Sequence, residues 1–351
     1  MDLAFWKQKR VFLTGHTGFK GAWLCRILTQ AGAELTGYSL TPPTVPSLYA
    51  LSDMQSSMTS VIGDIRDREK IMTAFKAVQP EIVIHMAAQP LVIDSYHNPV
   101  YTYEVNVMGT VNILECVRLM PGVKSFLNVT TDKVYHNNEW EWGYREIDLL
   151  DGFDPYSNSK ACSELVTHSY KNSFFDDNVA AISTARAGNV LGGGDFAVNR
   201  IIPDCVRAAE KGSPIMVRNP HSTRPYQHVL EPLFAYIMIA QKQYEDNSFA
   251  GYYNVGPDDC DCVTTGELVD MFCHAWGGGL TWENCSIDGP HEAGFLKLDC
   301  SKLKTVFRWR PRWSIADAVA KTVEWSREYL HCGDICGIMD AQIEEFRKGG
   351  V

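Results

Sequence analysis

The sequence predicts an α/β chain: a doubly wound parallel sheet, followed by a smaller C-terminal lobe of mixed α/β character. Three observations carry this. Short β-branched apolar runs alternate with longer amphipathic stretches through the first half of the chain. A glycine turn, Gly15-His16-Thr17-Gly18-Phe19-Lys20-Gly21, stands between the first apolar run and the first amphipathic one. Residues 82–87 are nearly all apolar, as a strand buried on both faces requires.

Taken in order, residues 11–14 are the first expected strand and 19–31 the first helix. Strands follow at 35–40 and 60–65, then a helix over 68–78. The fourth strand, 82–87, leads to a long helix over about 100–120. Residues 125–130 are the fifth strand, 155–173 the next helix, and 179–186 the sixth strand. After Arg186 the alternation stops: glycines cluster at 192–194, and prolines fall at Pro203, Pro214, Pro220 and Pro225. The expected division is a dinucleotide-binding domain over 1–186 with a return segment at about 228–256, and a second lobe over 187–227 and 257–351. The loops 41–47 and 137–151 are the least regular stretches.

The chain has 351 residues, 45% hydrophobic and 21% charged, enough for a sizeable core. Its formal net charge of −10 argues against a general nucleic-acid binder, which needs a basic surface. No run of 18 apolar residues stands in it, residues 1–10 lack the apolar core of a signal peptide, and a cytoplasmic protein is expected. The stretch 233–240 reads as a buried helix segment. The 11 cysteines are irregularly spaced, and Cys260 and Cys262 form C-x-C, so reduced thiols are expected and no metal site.

The glycine turn has a steric reason. A tight turn needs unusual backbone angles, and a pyrophosphate must approach the backbone with no Cβ in its way. The following helix turns its free N–H groups to the anion. The spacing is G-x-x-G-x-x-G, and His16, Thr17, Phe19 and Lys20 line the turn with Gly15, Gly18 and Gly21. The second strand ends in Gly37-Tyr38-Ser39-Leu40, without the acid that usually holds an adenosine ribose. No arginine follows to grip a 2′-phosphate, so NAD is expected over NADP. Asp64, after the third strand, either accepts from an adenine amino group or caps the next helix.

Tyr156-Ser157-Asn158-Ser159-Lys160 places a tyrosine and a lysine four apart, on one helical face. An ammonium beside a phenol favours phenolate, lowering a pKa that is otherwise about 10. Such a phenol can deprotonate a sugar hydroxyl as hydride leaves the same carbon. Together, Gly15, Gly18 and Gly21, Ala87-Ala88-Gln89, Asn106, and Tyr156 with Lys160 resemble the extended short-chain dehydrogenase/reductase family over nearly the whole chain. The resemblance implies a Rossmann domain holding NAD(P) and a C-terminal nucleotide-sugar lobe. It implies Ser39, Asp64, Ile65, Ala87, Ala88, Gln89, Asn106, Thr130, Tyr156, Lys160 and Arg186 as cofactor contacts beside the glycine turn.

Val129-Thr130-Thr131-Asp132-Lys133 narrows the resemblance. Epimerases of this family carry small residues here, and nucleotide-sugar 4,6-dehydratases carry Thr-Asp-Glu. The Thr-Asp-Lys form is similar to the CDP-glucose 4,6-dehydratase subfamily, as are 224–232 and 291–299. That implies oxidation of CDP-glucose at C4, loss of water across C5 and C6, and return of hydride to C6, for deoxysugar synthesis of the O-antigen type. The implied roles are Tyr156 as base at the C4 hydroxyl, Thr131 as hydrogen-bond donor to the C4 oxygen, Asp132 as acid for the C6 hydroxyl and Lys133 as base at C5. Lys133 can serve only where burial or a neighbouring cation lowers its pKa. Arg224 and Asn189, with Arg200 and Arg218, are the implied ligands of the nucleoside diphosphate. The aromatics of 140–144 either cover the sugar or pack the core, and Trp309 and Trp313 read as packing anchors. The helices over 100–120 and 155–173 are expected to build a homodimer or a dimer of dimers. Rival readings are a dTDP- or GDP-linked dehydratase, a 4-epimerase, or an NAD(P)-binding sensor without catalysis.

Overall fold

The structure, a computed structural model, describes residues 3–175, 180–285 and 294–349. Strands β1 (Arg10–Thr14), β2 (Glu34–Ser39), β3 (Thr59–Ile62), β4 (Ile82–His85), β5 (Ser125–Thr131) and β6 (Ala181–Ala187) come in chain order from the first half. Beyond them lie β7 (Val190–Leu191), β8 (Ile215–Val217), β9 (Thr223–Arg224), β10 (Gln227–His228), β11 (Tyr252–Val255), β12 (Val263–Thr264) and β13 (Trp282–Asn284). The central sheet has seven strands in the order β3-β2-β1-β4-β5-β6-β11, all parallel. This is the Rossmann-type sheet that the alternation predicts.

Side-chain alternation explains why both faces are covered. On β1, Val11 and Leu13 enter one core with Ile82, Ile84, Leu127 and Val129, while Phe12 enters the other with Val83, Phe126 and Ile182. The helices Phe19–Gln30, Leu230–Glu245 and Ile335–Lys348 contribute to the first core. Helices Arg68–Val78 and Gly109–Leu119 contribute to the second. Residues 233–240 lie within the helix Leu230–Glu245, whose face of Leu233, Ala235, Tyr236 and Ile237 is fully buried. A third core gathers Ile202, Ile215, Val217, Leu268, Phe272, Ile315 and Val319, all from beyond Arg186. Its strands run only in pairs: β7 with β10, β9 with β12 and β8 with β13. Among the described residues no helix is long and apolar enough to cross a membrane.

One departure from the expected elements matters for the site. The long helix over 100–120 is not uniform: it runs as Pro99–Tyr103, a π-helical turn Glu104–Met108, then Gly109–Leu119. A π turn inserts a residue into the ladder and re-aims side chains, here Asn106. The sixth strand begins at Ala181, and Val179 lies outside the described residues.

Candidate active site in the crevice between the first and fourth strands

The sheet order reverses between β1 and β4, which opens a crevice beyond their C-terminal ends. Gly15 turns the chain there at φ +82, and a Cβ on it would lie 2.9 Å from Ala87 N. A Cβ on Gly21 would lie 2.1 Å from Gly15 O, so that glycine lets the first helix pack on its own turn. Gly18 differs: φ is −77, and an added Cβ would meet only Gly15 O at 3.5 Å. The protein itself leaves room at Gly18, and the bare backbone keeps the space outside the turn open. Gly18 also caps the helix Phe19–Gln30 with no side-chain bond and no acid in the first turn. An uncapped, positive helix end over an open backbone fits a dinucleotide pyrophosphate.

The crevice walls are fixed by polar pins. The Thr14 hydroxyl accepts from Met86 N at 3.0 Å and Ala87 N at 3.1 Å, and lies 2.7 Å from His85 Nδ1. Burial, then the charge of Lys160, push His85 down to about 3, which keeps the ring neutral. Asn106, on the π turn, accepts from Gln89 N at 2.9 Å and donates to Gln89 O at 3.1 Å and Ser159 Oγ at 2.9 Å. It therefore joins the loop after β4 to the helix that carries Tyr156 and Lys160. The Gln89 side chain folds back on Leu91 and Thr102.

The helix Pro155–Phe174 carries the tyrosine and lysine. Asp154 caps it by accepting from Ser157 N at 2.9 Å, and Pro155 starts the first turn. Lys160 is buried and donates from Nζ to Val129 O at 2.9 Å. Burial pushes it down to about 8, while Glu164 works the other way. Tyr156 is half-buried and is raised to about 12 by burial, against a hydrogen bond with Thr131 and with Asp132 adding to the rise. The expected lowering of this phenol by Lys160 is not seen: the ammonium is engaged with the β5 carbonyl, and burial of the phenol sets the direction.

Asp132, in the short 3-10 turn Asp132–Val134 after β5, is 2% exposed. Its Oδ1 accepts from the Thr131 hydroxyl at 2.9 Å, and Oδ2 has no hydrogen-bond partner among the described residues. Burial raises its pKa, against Lys133, Thr131 and Arg224. A Cβ on Gly188 would sit 2.9 Å from that free oxygen. The arrangement is a protonatable carboxyl, its outer oxygen open, one residue from a hydroxyl that faces Tyr156. Lys133 is half-buried, with its charge beside Asp132.

Other expected contacts fall differently. Lys20 reaches past the glycine turn toward Lys160 and Asp132, donating to Tyr236 Oη at 3.1 Å. Burial, with Lys160 and Arg200 adding to it and Asp132 opposing, pushes it down to about 7. Nothing in the sequence marks Tyr236 as its partner. His16 is buried against Ser60 Oγ at 2.7 Å and, by burial, held down to about 4. Thr17 and Ser39 share a hydroxyl contact of 2.8 Å at the end of β2. The Asp64 carboxylate is taken by Arg66 Nε and Nη2, at 3.1 and 2.8 Å to Oδ2, and by Arg66 N at 2.9 Å to Oδ1. Ile65 is buried beside it, and an added Cβ on Gly109 would touch it.

Arg186, implied as a cofactor contact, is engaged within the protein. It is 2% exposed, paired with Glu164 at 2.9 Å and donating to Tyr135 Oη at 2.8 Å, so its guanidinium belongs to the core. Thr130 likewise donates to Glu164. Glu164 itself, four residues after Lys160, was legible as a third residue on that helical face.

Among the expected substrate ligands, Arg224 is buried and Arg200 is held by Asp195 at 2.9 Å. The fields of both reach the site, Arg224 at Asp132 and Arg200 at Tyr156. Arg218 donates to Asn199 O at 3.1 Å, and Asn189 O accepts from Gln227 N at 3.1 Å. Tyr144 is buried and stacked between Tyr135 and Trp140 at 5.3 and 5.5 Å, which makes it packing, and Trp142 is exposed. Trp313 packs on His228 and Phe346, at 4.8 and 5.0 Å. Of the motif 291–299, residues 291–293 lie outside the described residues, while Gly294 N and Phe295 N donate to Glu139 at 2.9 and 2.7 Å.

The family model described as GDP-mannose 4,6 dehydratase matches residues 12–322. The chain is 46% identical to a CDP-glucose 4,6-dehydratase of Salmonella typhimurium over 352 residues, covering 99% of this chain and 98% of that one. Among solved structures, the UDP-glucose 4-epimerase of Thermotoga maritima with UDP-glucose superposes at a TM-score of 0.81 and 21% identity, covering 91% of this chain and 99% of that one. The dTDP-glucose 4,6-dehydratase of Bacillus anthracis in complex with NAD superposes at 0.78 and 21% identity, covering 92% and 98%. These two structures are alike in fold.

Proposed function

The chain belongs to the GDP-mannose 4,6 dehydratase family, and on that premise we propose that it is an NAD-dependent CDP-glucose 4,6-dehydratase. The observation that carries the reading is Asp132, a buried carboxyl with a raised pKa and an unpartnered Oδ2. A 4-epimerase needs a base and a hydride acceptor. A dehydratase also needs an acid for the departing hydroxyl, and a buried carboxyl whose pKa is raised suits that role. The choice of CDP-glucose rests on the identity with the Salmonella relative.

NAD, when bound, supplies the acceptor for the C4 hydride and afterwards its donor to C6. The bare Gly18 and the uncapped helix end hold its pyrophosphate. Lys160 fixes the nicotinamide ribose while keeping its hold on β5. Tyr156 takes the proton of the C4 hydroxyl, and Thr131 donates to the oxygen that becomes a ketone. The ketone acidifies the C5 proton, which we assign to Lys133 as base, and Asp132 Oδ2 protonates the C6 hydroxyl as water departs. Arg224, Arg200, Arg218 and Asn189 are assigned to the nucleoside diphosphate. Exposed Val100, Met108 and Leu165, on the helices expected at a subunit interface, support a homodimer or dimer of dimers. We place the enzyme in the cytoplasm, in deoxysugar synthesis of the O-antigen type.

The test is incubation of the chain and NAD with CDP-, dTDP-, GDP- and UDP-linked sugars, read by mass. Loss of one water from CDP-glucose is expected. Water lost from a different nucleotide sugar instead would overturn the assigned base, and epimerisation without water loss would overturn the reaction.

A further inference from the structure

Tyr156, Lys160 and Glu164 recur every four residues along Pro155–Phe174 and so share one face of the helix. The first two are assigned to the reaction above. The third is 1% exposed and ties three elements together. One carboxylate oxygen accepts from Thr130 Oγ1 on β5. The other accepts from Thr184 Oγ1 at 2.7 Å and Arg186 Nη2 at 2.9 Å, both on β6. Thr130 directly precedes Thr131 and Asp132. Lys160, one helical turn before Glu164, is anchored to the same strand through Val129 O at 2.9 Å.

We propose that Glu164 is a positioning residue for the catalytic pair, locking the Tyr156–Lys160 face to β5 and supplying the buried negative charge that faces Lys160. This rests on the reading of Lys160 as the residue that grips the nicotinamide ribose. Among the described residues, Glu164 alone of the charged and titratable groups around the pair favours the Lys160 charge. Lys160 faces Lys20 from the glycine turn and His85 from β4, which is held neutral. Glu164 faces Arg186 on β6, Tyr135 after β5 and Tyr252 on β11. Burial works to strip the Lys160 proton, Lys20 cannot help to hold it, and Glu164 opposes its loss. Arg186 has its own use for Glu164, which fixes the carboxylate in place. Removing the charge on Glu164 therefore leaves Lys160 to burial and makes it lose its proton at a lower pH.

The experiment is NAD binding to the full chain, followed by fluorescence between pH 6 and 10, which requires no sugar turnover. Wild-type affinity is expected to fall as pH rises through the Lys160 range. In Glu164→Gln the fall should begin about one pH unit lower, leaving binding about tenfold weaker at the alkaline end. Glu164→Asp, which keeps the charge, should keep the wild-type midpoint. If Glu164→Gln does not fold, Glu164→Gln with Arg186→Met, which removes the paired cation with the carboxylate, should shift the fall in the same direction by less than about one pH unit. A folded variant whose affinity follows the wild-type curve, or is weaker by the same factor at every pH, overturns the proposal. Conversion of CDP-glucose by the wild type reports separately on the functional reading.

Discussion

Thr14 Oγ1 lies 2.7 Å from His85 Nδ1 while accepting two backbone N–H groups from the loop after β4, so a single hydroxyl joins β1 to β4 at the mouth of the crevice. With two donors on its oxygen, the hydroxyl turns its own proton to the neutral His85 ring. Thr14→Val keeps the shape and removes the oxygen, leaving Ala87 N and His85 Nδ1 short of a partner, while Met86 N keeps the Thr14 carbonyl at 3.2 Å. The cost of such orphaned buried groups is about 1–3 kcal/mol. Urea denaturation should show that loss, together with weaker NAD binding, because the loop after β4 walls the crevice.

The glycines of the turn should separate into two kinds. Gly15→Ala forces a side chain into φ +82 and onto Ala87 N at 2.9 Å, so both stability and NAD binding should drop. Gly18→Ala meets only Gly15 O at 3.5 Å and should melt within a few degrees of the wild type. Its methyl projects into the space assigned to the pyrophosphate, and affinity should fall at least about tenfold, a cost of roughly 1.4 kcal/mol. Equal affinity in Gly18→Ala and the wild type would move the dinucleotide out of this turn.

The sheet was legible because its signals are local. The apolar runs and the glycine turn each need only neighbouring residues, and six of the seven parallel strands follow from their alternation, while β11 lies in the later return segment. The π turn at Glu104–Met108 was not, because Asn106 is drawn to Gln89 and Ser159, and Ser159 lies on a different helix. The place of Arg186 was hidden for the same reason: an arginine closing a strand looks available until Glu164 and Tyr135 are found beside it. The Tyr-x-x-x-Lys spacing states proximity but not solvation, and it is burial that lifts the Tyr156 phenol to about 12. Asp132 could be picked out from its neighbours in sequence, yet its burial under Gly188 and its raised pKa come from chain distant in sequence.

Asp132 offers a stability test that runs against activity. Its folded pKa lies above the unfolded value of 3.8, so folding takes up a proton in the window between them. The stability it contributes is present below the unfolded pKa and is lost as pH rises through the folded one. Asp132→Asn carries no charge to desolvate, keeps the acceptor for Thr131, and should be more stable than the wild type at neutral pH, with the gap closing in acid. Turnover should fall about 10²–10⁴-fold through loss of the acid. A melting series across pH, set beside water-loss rates, checks both signs at once. In the wild type the acid step should weaken as pH rises through the same carboxyl.

Tyr156→Phe isolates the first proton transfer. The phenol is half-buried, raised to about 12 and hydrogen-bonded with Thr131. Removing its oxygen deletes the base without changing the packing of the ring. Turnover should fall by about 10²–10⁴-fold, the usual worth of a positioned base, while NAD affinity, carried by Gly18 and Lys160, should stay close to the wild type. The phenol must lose its proton to act, so wild-type turnover should climb with pH across the range below about 12. That limb should vanish from the residual activity of Tyr156→Phe. Thr131→Val removes a hydroxyl that favours the phenolate, and should shift the same limb upward in pH rather than erase it. Rates measured from acid to mildly alkaline pH for the three proteins decide the matter, because a base elsewhere on the sheet would leave the wild-type limb in place in both variants.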